Sequence, residues 1–455
     1  MTTRRERLER LLGSLRERGA EECVVFRGES ISGAELDRRR VAWIDKLATC
    51  GYEPGKVVGI AADGTPDALA LYLAVMSTGG VAALVSPRDP DPRPALADAH
   101  ASCLCREGSP GHWTHERRPE PEGEPHPLLA DLRARGGAGF VVYSSGSEGR
   151  PKAVLHDIER FLAKYDRAGK PKRTLAFLMF DHIAGVDTIL YTLAHGGVLV
   201  LPETRDPHAI ARLVASARVE VLPTSPTFLK LFCLSDAPDH HDLSSLEIVA
   251  WGSEAMPAST SERVREVLPH VKLLQKFGTS ELGSPRSRTR DAEGLWIDFD
   301  GIEHRIVDGT LWLRSETAML GYLNAPNPFD EEGWWNTGDV VEQDGSWLRI
   351  LGRRSDLINV GGEKVMPREV EEVLLEMPII VDAAVRGAPN PLTGQIVEAH
   401  VQLAEPLDER ELRKAVRAHC RARLAGPKVP ARVVISEGPL TTERGKKKRR
   451  EPEPR

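Results

Sequence analysis

Cysteine is scarce, with six in 455 residues, at Cys23, Cys50, Cys103, Cys105, Cys233 and Cys420. That spread is too sparse for a disulfide framework, so reduced thiols are expected. Cys103 and Cys105 make a lone C-x-C pair without a second ligand pair, which argues against zinc. No strong excess of either charge exists. The net charge of −6 gives no whole-chain electrostatic case for nucleic acid. Long apolar runs are also missing. The longest uncharged stretch, Ala68 to Pro87, is broken at Ser77-Thr78-Gly79-Gly80, so it reads as helix, turn and strand rather than a span. No internal repeat is visible. The start, MTTRRERLERLLGSLRERG, shows no export signal, and a cytoplasmic location is expected. It sets Leu8, Leu11, Leu12 and Leu15 on one helical face, predicting an amphipathic helix docked on its own domain and no stable membrane anchor.

What is present is ordinary globular material. Hydrophobic residues are 41% and charged residues 28%, which excludes a mostly disordered or fibrous chain. At roughly 100–200 residues per domain, the length implies two to four domains. Strand candidates Val57–Ala61, Val81–Val85, Phe140–Tyr143, Thr174–Met179, Val198–Leu201, Val219–Pro223 and Glu247–Trp251 alternate with helices such as Asp67–Met76 and Pro207–Ala217. The alternation predicts α/β layers around buried sheets. The stretch Arg106–Gly137, rich in Pro, Gly, Glu, Arg and His, reads as a surface connection. Ile306–Arg314 and Trp347–Leu351 suggest a small β-rich unit. After Gly352-Arg353-Arg354-Ser355-Asp356 a second α/β module is expected, with helices Pro367–Met377 and Asp408–Leu424 and strands Ala383–Arg386 and Ile396–Leu403. The predicted division is 1–352 and 353–455.

Several segments carry chemistry. Tyr143-Ser144-Ser145-Gly146-Ser147-Glu148-Gly149-Arg150-Pro151-Lys152 follows an apolar strand and packs hydroxyls, glycines and a lysine into ten positions. Glycines let the backbone curl so that amides point inward, and hydroxyls and Lys152 add donors for phosphate oxygens. The G-x-x-x-x-G-K-[ST] spacing of a Walker loop is absent. In Phe277-Gly278-Thr279-Ser280-Glu281 a hydroxyl beside a carboxylate can hold a phosphate oxygen and a magnesium ion together. Asp339, in Thr337-Gly338-Asp339, can accept from both ribose hydroxyls. Near the end lies Gly445-Lys446-Lys447-Lys448-Arg449, which in isolation reads as a solvated basic tail.

In this order and spacing the segments resemble the adenylate-forming superfamily of acyl-CoA and aryl-CoA synthetases, carrier-loading adenylation domains and beetle luciferase, over Ile31 to Arg449. The resemblance implies a large N-terminal domain of layered α/β subdomains and a small mobile α/β C-terminal lid. It implies activation of a carboxylate with ATP to an acyl-adenylate and pyrophosphate, then transfer to CoA or a phosphopantetheinyl carrier thiol. By that resemblance Ser144, Ser145, Gly146, Ser147, Gly149 and Lys152 form the phosphate loop. Trp251 to Pro257, including Gly252, Ser253 and Glu254, would wrap the adenine, with Phe277, Gly278 and Thr279 beside it. Ser280 matches the α-phosphate contact, Glu281 the Mg²⁺-associated glutamate, and Asp339 with Arg353 the ribose-binding pair. Lys446, in the pattern Thr442, Gly445, Lys446, Arg449, matches the lysine that bridges the attacking carboxylate and the α-phosphate. His182, in Asp181-His182-Ile183-Ala184-Gly185, matches a segment beside the acyl pocket, and Trp251, Phe228 and Gly278 are expected to line that pocket.

Departures accompany the match. Ser355, followed by Asp356, stands where the hinge residue is typically Asp or Lys, and Ser147-Glu148 replace a commoner Thr-Thr. The chain is short between Pro87 and Phe140 and after Lys446. Large aromatics near the acyl pocket favour a small or planar acid. Two other readings use the same fold: a nitrite-activating diazotase acting on an aromatic amine, and a nucleotide-binding pseudoenzyme. The expected partners are a small acid and CoA or a carrier protein. A homodimer is allowed, and nucleic acid is not expected.

Overall fold

The computed structural model describes residues 6–118, 124–144, 150–252, 256, 258–290, 296–438 and 440. The first helix, Glu6–Glu17, buries Leu8, Leu11, Leu12 and Leu15. Its free N-terminal amides are satisfied from afar, since the N–H groups of Arg7 and Leu8 donate to the Glu159 carboxylate at 3.0 and 2.9 Å. The apolar stripe thus lies in the protein's own core, as its periodicity predicts. The uncharged run becomes the helix Pro66–Ser77, capped by Thr65 Oγ1 accepting from the Ala68 N–H at 3.1 Å, then the strand Val81–Val85. That helix is apolar on every side because it is packed on every side. No helix among the described residues is long and apolar enough to cross a membrane.

Among the described residues the strands form four sheets. One has seven strands and centres on the parallel neighbours Ala101–Ser109, Val57–Ala61, Val81–Val85 and Gly139–Ser144. A second seven-stranded sheet runs Lys272–Gln275, Ile248–Trp251, Val221–Thr224, Arg173–Leu175, Val198–Leu201 and Glu22–Phe26 in parallel, closed by antiparallel Glu29–Ser32. Val57–Ala61 and Val81–Val85 are buried at every position, as strands covered on both faces must be. The third sheet has six antiparallel strands, including Thr310–Arg314, Trp335–Asp344 and Trp347–Arg353.

The fourth sheet begins at Ile358–Val360 and is built on the long hairpin of Ile380–Asn390 and Gly394–Leu403. Helices Pro367–Leu375 and Glu409–Arg421 cover it, and it has a core of its own around Val370, Leu374, Val385, Val401 and Val416. Arg368 Nη1 donates to the Ile350 carbonyl at 2.9 Å and Lys230 Nζ donates to the Val381 carbonyl, tying this unit to the larger one.

Two expectations need correction. Arg106–Gly137 is not a plain surface connection. The strand Ala101–Ser109 runs into it, His112–Arg117 pairs back as a hairpin, and Pro127–Ala134 is helical. Buried Cys105, Leu129 and Leu132 supply enough apolar surface to order a segment whose overall composition is polar. The strand expected over Thr174–Met179 is shorter, Arg173–Leu175, and the chain then leaves the sheet toward Asp181.

Candidate active site

The segment after the edge strand Lys272–Gln275 is the centre of the site. The Lys276 N–H donates to the Trp251 carbonyl at 2.7 Å, which carries the ladder one residue past the strand. The chain then folds into a tight turn. Thr279 N–H donates to the Gly283 carbonyl at 3.1 Å, Gly283 N–H returns to the Thr279 carbonyl at 2.9 Å, and the Leu282 N–H reaches Thr279 Oγ1 at 3.2 Å. Gly283 has φ of +69°, and a Cβ there would lie 2.5 Å from Lys164 Nζ and 2.9 Å from Phe161 Cε2. Only glycine fits that position without displacement.

The turn presents Ser280 and Glu281, and distant elements pin it on both sides. The Ser280 carbonyl accepts from His156 Nε2 at 2.7 Å, and the Glu281 carbonyl accepts from the Met319 N–H at 2.8 Å. His156 is buried, lies stacked on Phe140 with centroids 4.8 Å apart, and is pushed down to a pKa of about 3 by burial. It is therefore a neutral imidazole donating from Nε2. The Glu281 side chain is buried, and its Oε1 accepts from the Tyr322 hydroxyl at 2.8 Å. Burial and then Glu281 raise the Tyr322 pKa, so the phenol keeps its proton. Lys152 Nζ sits 5.0 Å from the centroid of the same ring. Lys152 and Glu281 thus flank one aromatic residue.

Thr337-Gly338-Asp339 lies on the β-rich sheet. Thr337 Oγ1 donates to the Leu311 carbonyl at 2.9 Å and accepts from the Asp339 N–H at 3.0 Å. Asp339 and Arg353 are cross-strand partners, with Arg353 Nε 3.0 Å from Asp339 Oδ1, and Arg353 Nη1 also donates to the Thr337 carbonyl. Burial raises the Asp339 pKa, Arg353 opposes that, and Glu281 adds to it, which places the two carboxylates in one electrostatic neighbourhood. The residue matched to the cation, on the turn, and the residue matched to ribose, on a sheet, thus act on each other's charge. A carboxylate oxygen is a hard ligand, and Glu281, whose Oε1 accepts from Tyr322, is the residue here that could hold a divalent cation.

His182 is half-buried and precedes the helix Ile183–Ala194. The glycine three residues on has a packing reason, because a Cβ at Gly185 would lie 2.0 Å from the Met179 carbonyl oxygen. Ser144 ends its strand in register with Lys152. Gly278 is exposed and Phe277 packs edge-on against Phe299, 5.3 Å between centroids. Trp251 and Phe228 belong to the apolar cluster that includes Phe177, Phe232 and Met256. Gly252 lies beside Lys276. Near the expected hinge, Ser355 Oγ donates to Asp356 Oδ1 at 3.2 Å and Arg354 Nη1 donates to the Asp308 carbonyl at 2.9 Å. Ser145, Gly146, Ser147, Gly149, Ser253, Glu254 and Lys446 lie outside the described residues.

Residues the sequence reading missed are His156, Tyr322, Gln275 and Lys276. The first two act on the turn from more than 40 positions away, and nothing local marks them. Gln275 and Lys276 directly precede Phe277, which is the signal available for them. The Gln275 Oε1 is buried with no hydrogen-bond partner among the described residues.

The family model described as AMP-binding enzyme matches residues 13–323, and the AMP-binding enzyme C-terminal domain matches 369–446. A feruloyl-CoA synthase from Amycolatopsis sp is 28% identical over 93% of this chain and 94% of its own length. A 2-succinylbenzoate–CoA ligase of Bacillus licheniformis is 29% identical over 64% of this chain. A 3-[(3aS,4S,7aS)-7a-methyl-1,5-dioxo-octahydro-1H-inden-4-yl]propanoyl:CoA ligase of Mycobacterium tuberculosis is 33% identical, also over 64%. The matches span 65% and 61% of those two relatives, just under two thirds of their lengths. An amide bond synthetase from Marinactinospora thermotolerans superposes with a TM-score of 0.78 at 25% identity, covering 97% of this chain and 98% of that one. An anthranilate CoA ligase shares the fold, with a TM-score of 0.80 at 20% identity and coverage of 97% and 95%. The first model covers more than half of the chain, including the turn, and the second covers the small α/β unit, so the chain belongs to the AMP-binding enzyme family.

Proposed function

We propose that this protein activates a carboxylic acid, small or aryl, with ATP and then passes the acyl group to the thiol of CoA or of a carrier protein. The observation that carries this reading is the gathering of Lys152, Tyr322 and Glu281 at one turn, with the Asp339–Arg353 pair near enough for Glu281 to act on the Asp339 carboxylate. In the first step a carboxylate oxygen attacks the α-phosphorus, the bond to the bridging oxygen breaks, and pyrophosphate leaves. In the second a thiolate attacks the acyl carbon and AMP leaves. Both steps move negative charge, so preorganised donors and cations supply most of the stabilisation.

Asp339 would accept from ribose hydroxyls while Arg353 holds it. Gln275 Oε1, without a hydrogen-bond partner among the described residues, would accept from the amino group of the nucleobase. Lys152 would neutralise the departing phosphates. Ser280 would donate to the α-phosphate, its carbonyl fixed by His156. Glu281 would hold Mg²⁺, which when bound supplies a counter-charge to the phosphates. Lys446, by its pattern, would neutralise the encounter of carboxylate and α-phosphate, and a lysine on a small domain permits one arrangement for each step. His182 would stand at the acyl pocket. A cytoplasmic location and a homodimer are part of the same reading.

A second acceptor is favoured by one observation, the likeness to an amide bond synthetase over nearly the whole of both chains, which points to an amine in place of the thiol. The test is ATP–pyrophosphate exchange with mass-spectrometric product analysis. The panel holds short, medium, long and aryl acids, each alone, with CoA and with amines, plus aminoaryl acids with nitrite. Exchange dependent on one acid class, with thioester and AMP on adding CoA, is expected. Turnover that needs nitrite and gives a diazo product, or nucleotide binding without turnover of any acid, would refute the reading.

A further inference from the structure

Side chains alternate across a strand, and that alternation gives Lys276 a place distinct from that of Trp251. Thr224, Trp251 and Gln275 are register partners on three parallel strands and share one face. Trp251 on that face enters the cluster of Phe177, Phe228 and Phe232. Gly252 and Lys276 take the opposite face and pack closely, since a Cβ on Gly252 would lie 2.7 Å from the Lys276 carbonyl oxygen. Asp187, on the helix Ile183–Ala194 that His182 precedes, acts on Lys276 across this face.

The charges on that face do not balance. Asp187 is paired with Lys164 Nζ and also accepts from the Tyr165 hydroxyl. Lys276 has no carboxylate within 4 Å among the described residues, since every ion pair of that region goes to other cations. The groups that act on it are Asp187 from the helix, Arg286 from the segment beyond the turn, and Lys272 from its own strand. Two of those three are cations, and the one anion is already shared. Burial pushes the Lys276 ammonium below its usual range, and Asp187 only partly restores it. A half-buried ammonium just ahead of the turn that carries Ser280 and Glu281, with no carboxylate within 4 Å among the described residues, is a cost the free protein carries and a ligand can relieve.

We propose that Lys276 is a specificity-determining residue that pairs with a second anionic oxygen on the acid being activated, so the preferred substrates are acids with a further carboxylate. This rests on the acid-activating reading above and names its substrate class. The first carboxylate meets the α-phosphate at Ser280, and the second lies deeper, against Lys276.

The test compares matched acids on the full chain: benzoate with isophthalate and terephthalate, and cinnamate with 4-carboxycinnamate. Pyrophosphate exchange gives kcat and KM, and calorimetry gives direct binding of each acid. Wild type should favour at least one diacid over its monoacid partner by about tenfold or more in kcat/KM, the scale of one charge-assisted contact. Lys276→Met should collapse that ratio mainly through KM, and Lys276→Arg should restore most of it. Equal handling of diacids and monoacids by wild type, or an unchanged ratio in Lys276→Met, would overturn the proposal while leaving adenylation standing. Calorimetric diacid binding that vanishes in Lys276→Met, with no exchange for any acid, would support the lysine's role and overturn the activating reading instead.

Discussion

Removing one oxygen atom tests the centre of the site. Tyr322→Phe deletes the hydroxyl that donates to Glu281 Oε1 at 2.8 Å and leaves the ring 5.0 Å beneath Lys152. Both partners are buried, so no bulk water replaces the lost donor freely. A hydrogen bond to a charged group contributes about 1.5–3 kcal/mol, which at roughly 1.4 kcal/mol per decade is about a 10- to 100-fold effect. The phenol pKa is raised, so the tyrosine donates at every working pH and the effect should not depend on pH above neutrality. If Glu281 holds the cation that accompanies ATP, the loss falls on cation use. The Mg²⁺ concentration for half-maximal pyrophosphate exchange should rise about tenfold, with kcat at saturating Mg²⁺ partly recovered. Circular dichroism and a urea titration check that the variant is folded. A folded Tyr322→Phe with kcat/KM and Mg²⁺ half-saturation within about twofold of wild type would show that Glu281 needs no positioning, and that the cation is bound elsewhere.

Lys446→Ala should abolish acid-dependent pyrophosphate exchange while leaving the urea midpoint unchanged, and near-wild-type exchange would remove Lys446 from the mechanism. Asp339→Asn keeps the shape but loses the carboxylate that Arg353 holds at 3.0 Å, so the KM for ATP should rise about tenfold with a smaller change in kcat. An unchanged KM would move the ribose contact away from the β-rich sheet. His156 gives a pH signature. Its folded pKa of about 3 lies below the ordinary value of 6.5, so between those limits the unfolded chain binds a proton that the folded chain refuses. Stability is then complete above pH 6.5 and lost as pH falls, by about 2 kcal/mol between pH 6.5 and 5. Urea unfolding at pH 7.5 and 5 should show that loss in wild type and a smaller one in His156→Gln, and identical losses would refute the assignment.

The layered α/β body was legible because its strands are short apolar runs bounded by turns, as at Val57–Ala61, Val81–Val85 and Val198–Leu201, which appear at the expected bounds. Leu8, Leu11, Leu12 and Leu15 were legible for a related reason, since a helical stripe with nowhere else to go turns inward. Arg106–Gly137 was not legible because its strands are an edge hairpin, half exposed, where polar residues are tolerated and composition resembles that of a loop. His156 and Tyr322 could not be read at all. Each meets the turn across a contact closed by sheet packing, His156 over 124 positions and Tyr322 over 41. Motif spacing encodes what the chain does locally, and these two act through the fold.

Strand alternation separates two residues that adjacency in the fold would merge. Trp251 attracts attention as a large aromatic beside Gly252, yet its register with Thr224 and Gln275 turns it into the cluster around Phe228. The neighbouring position on the next strand, Lys276, faces the other way, toward Asp187. A pocket read from the aromatic alone would be apolar and would select for planarity. Read from the lysine, it carries an unmatched positive charge and selects for a second anion as well. The two readings make opposite demands on one experiment: Lys276→Met should improve a neutral aryl acid relative to its dicarboxylate partner only if the lysine, rather than the tryptophan, faces the substrate.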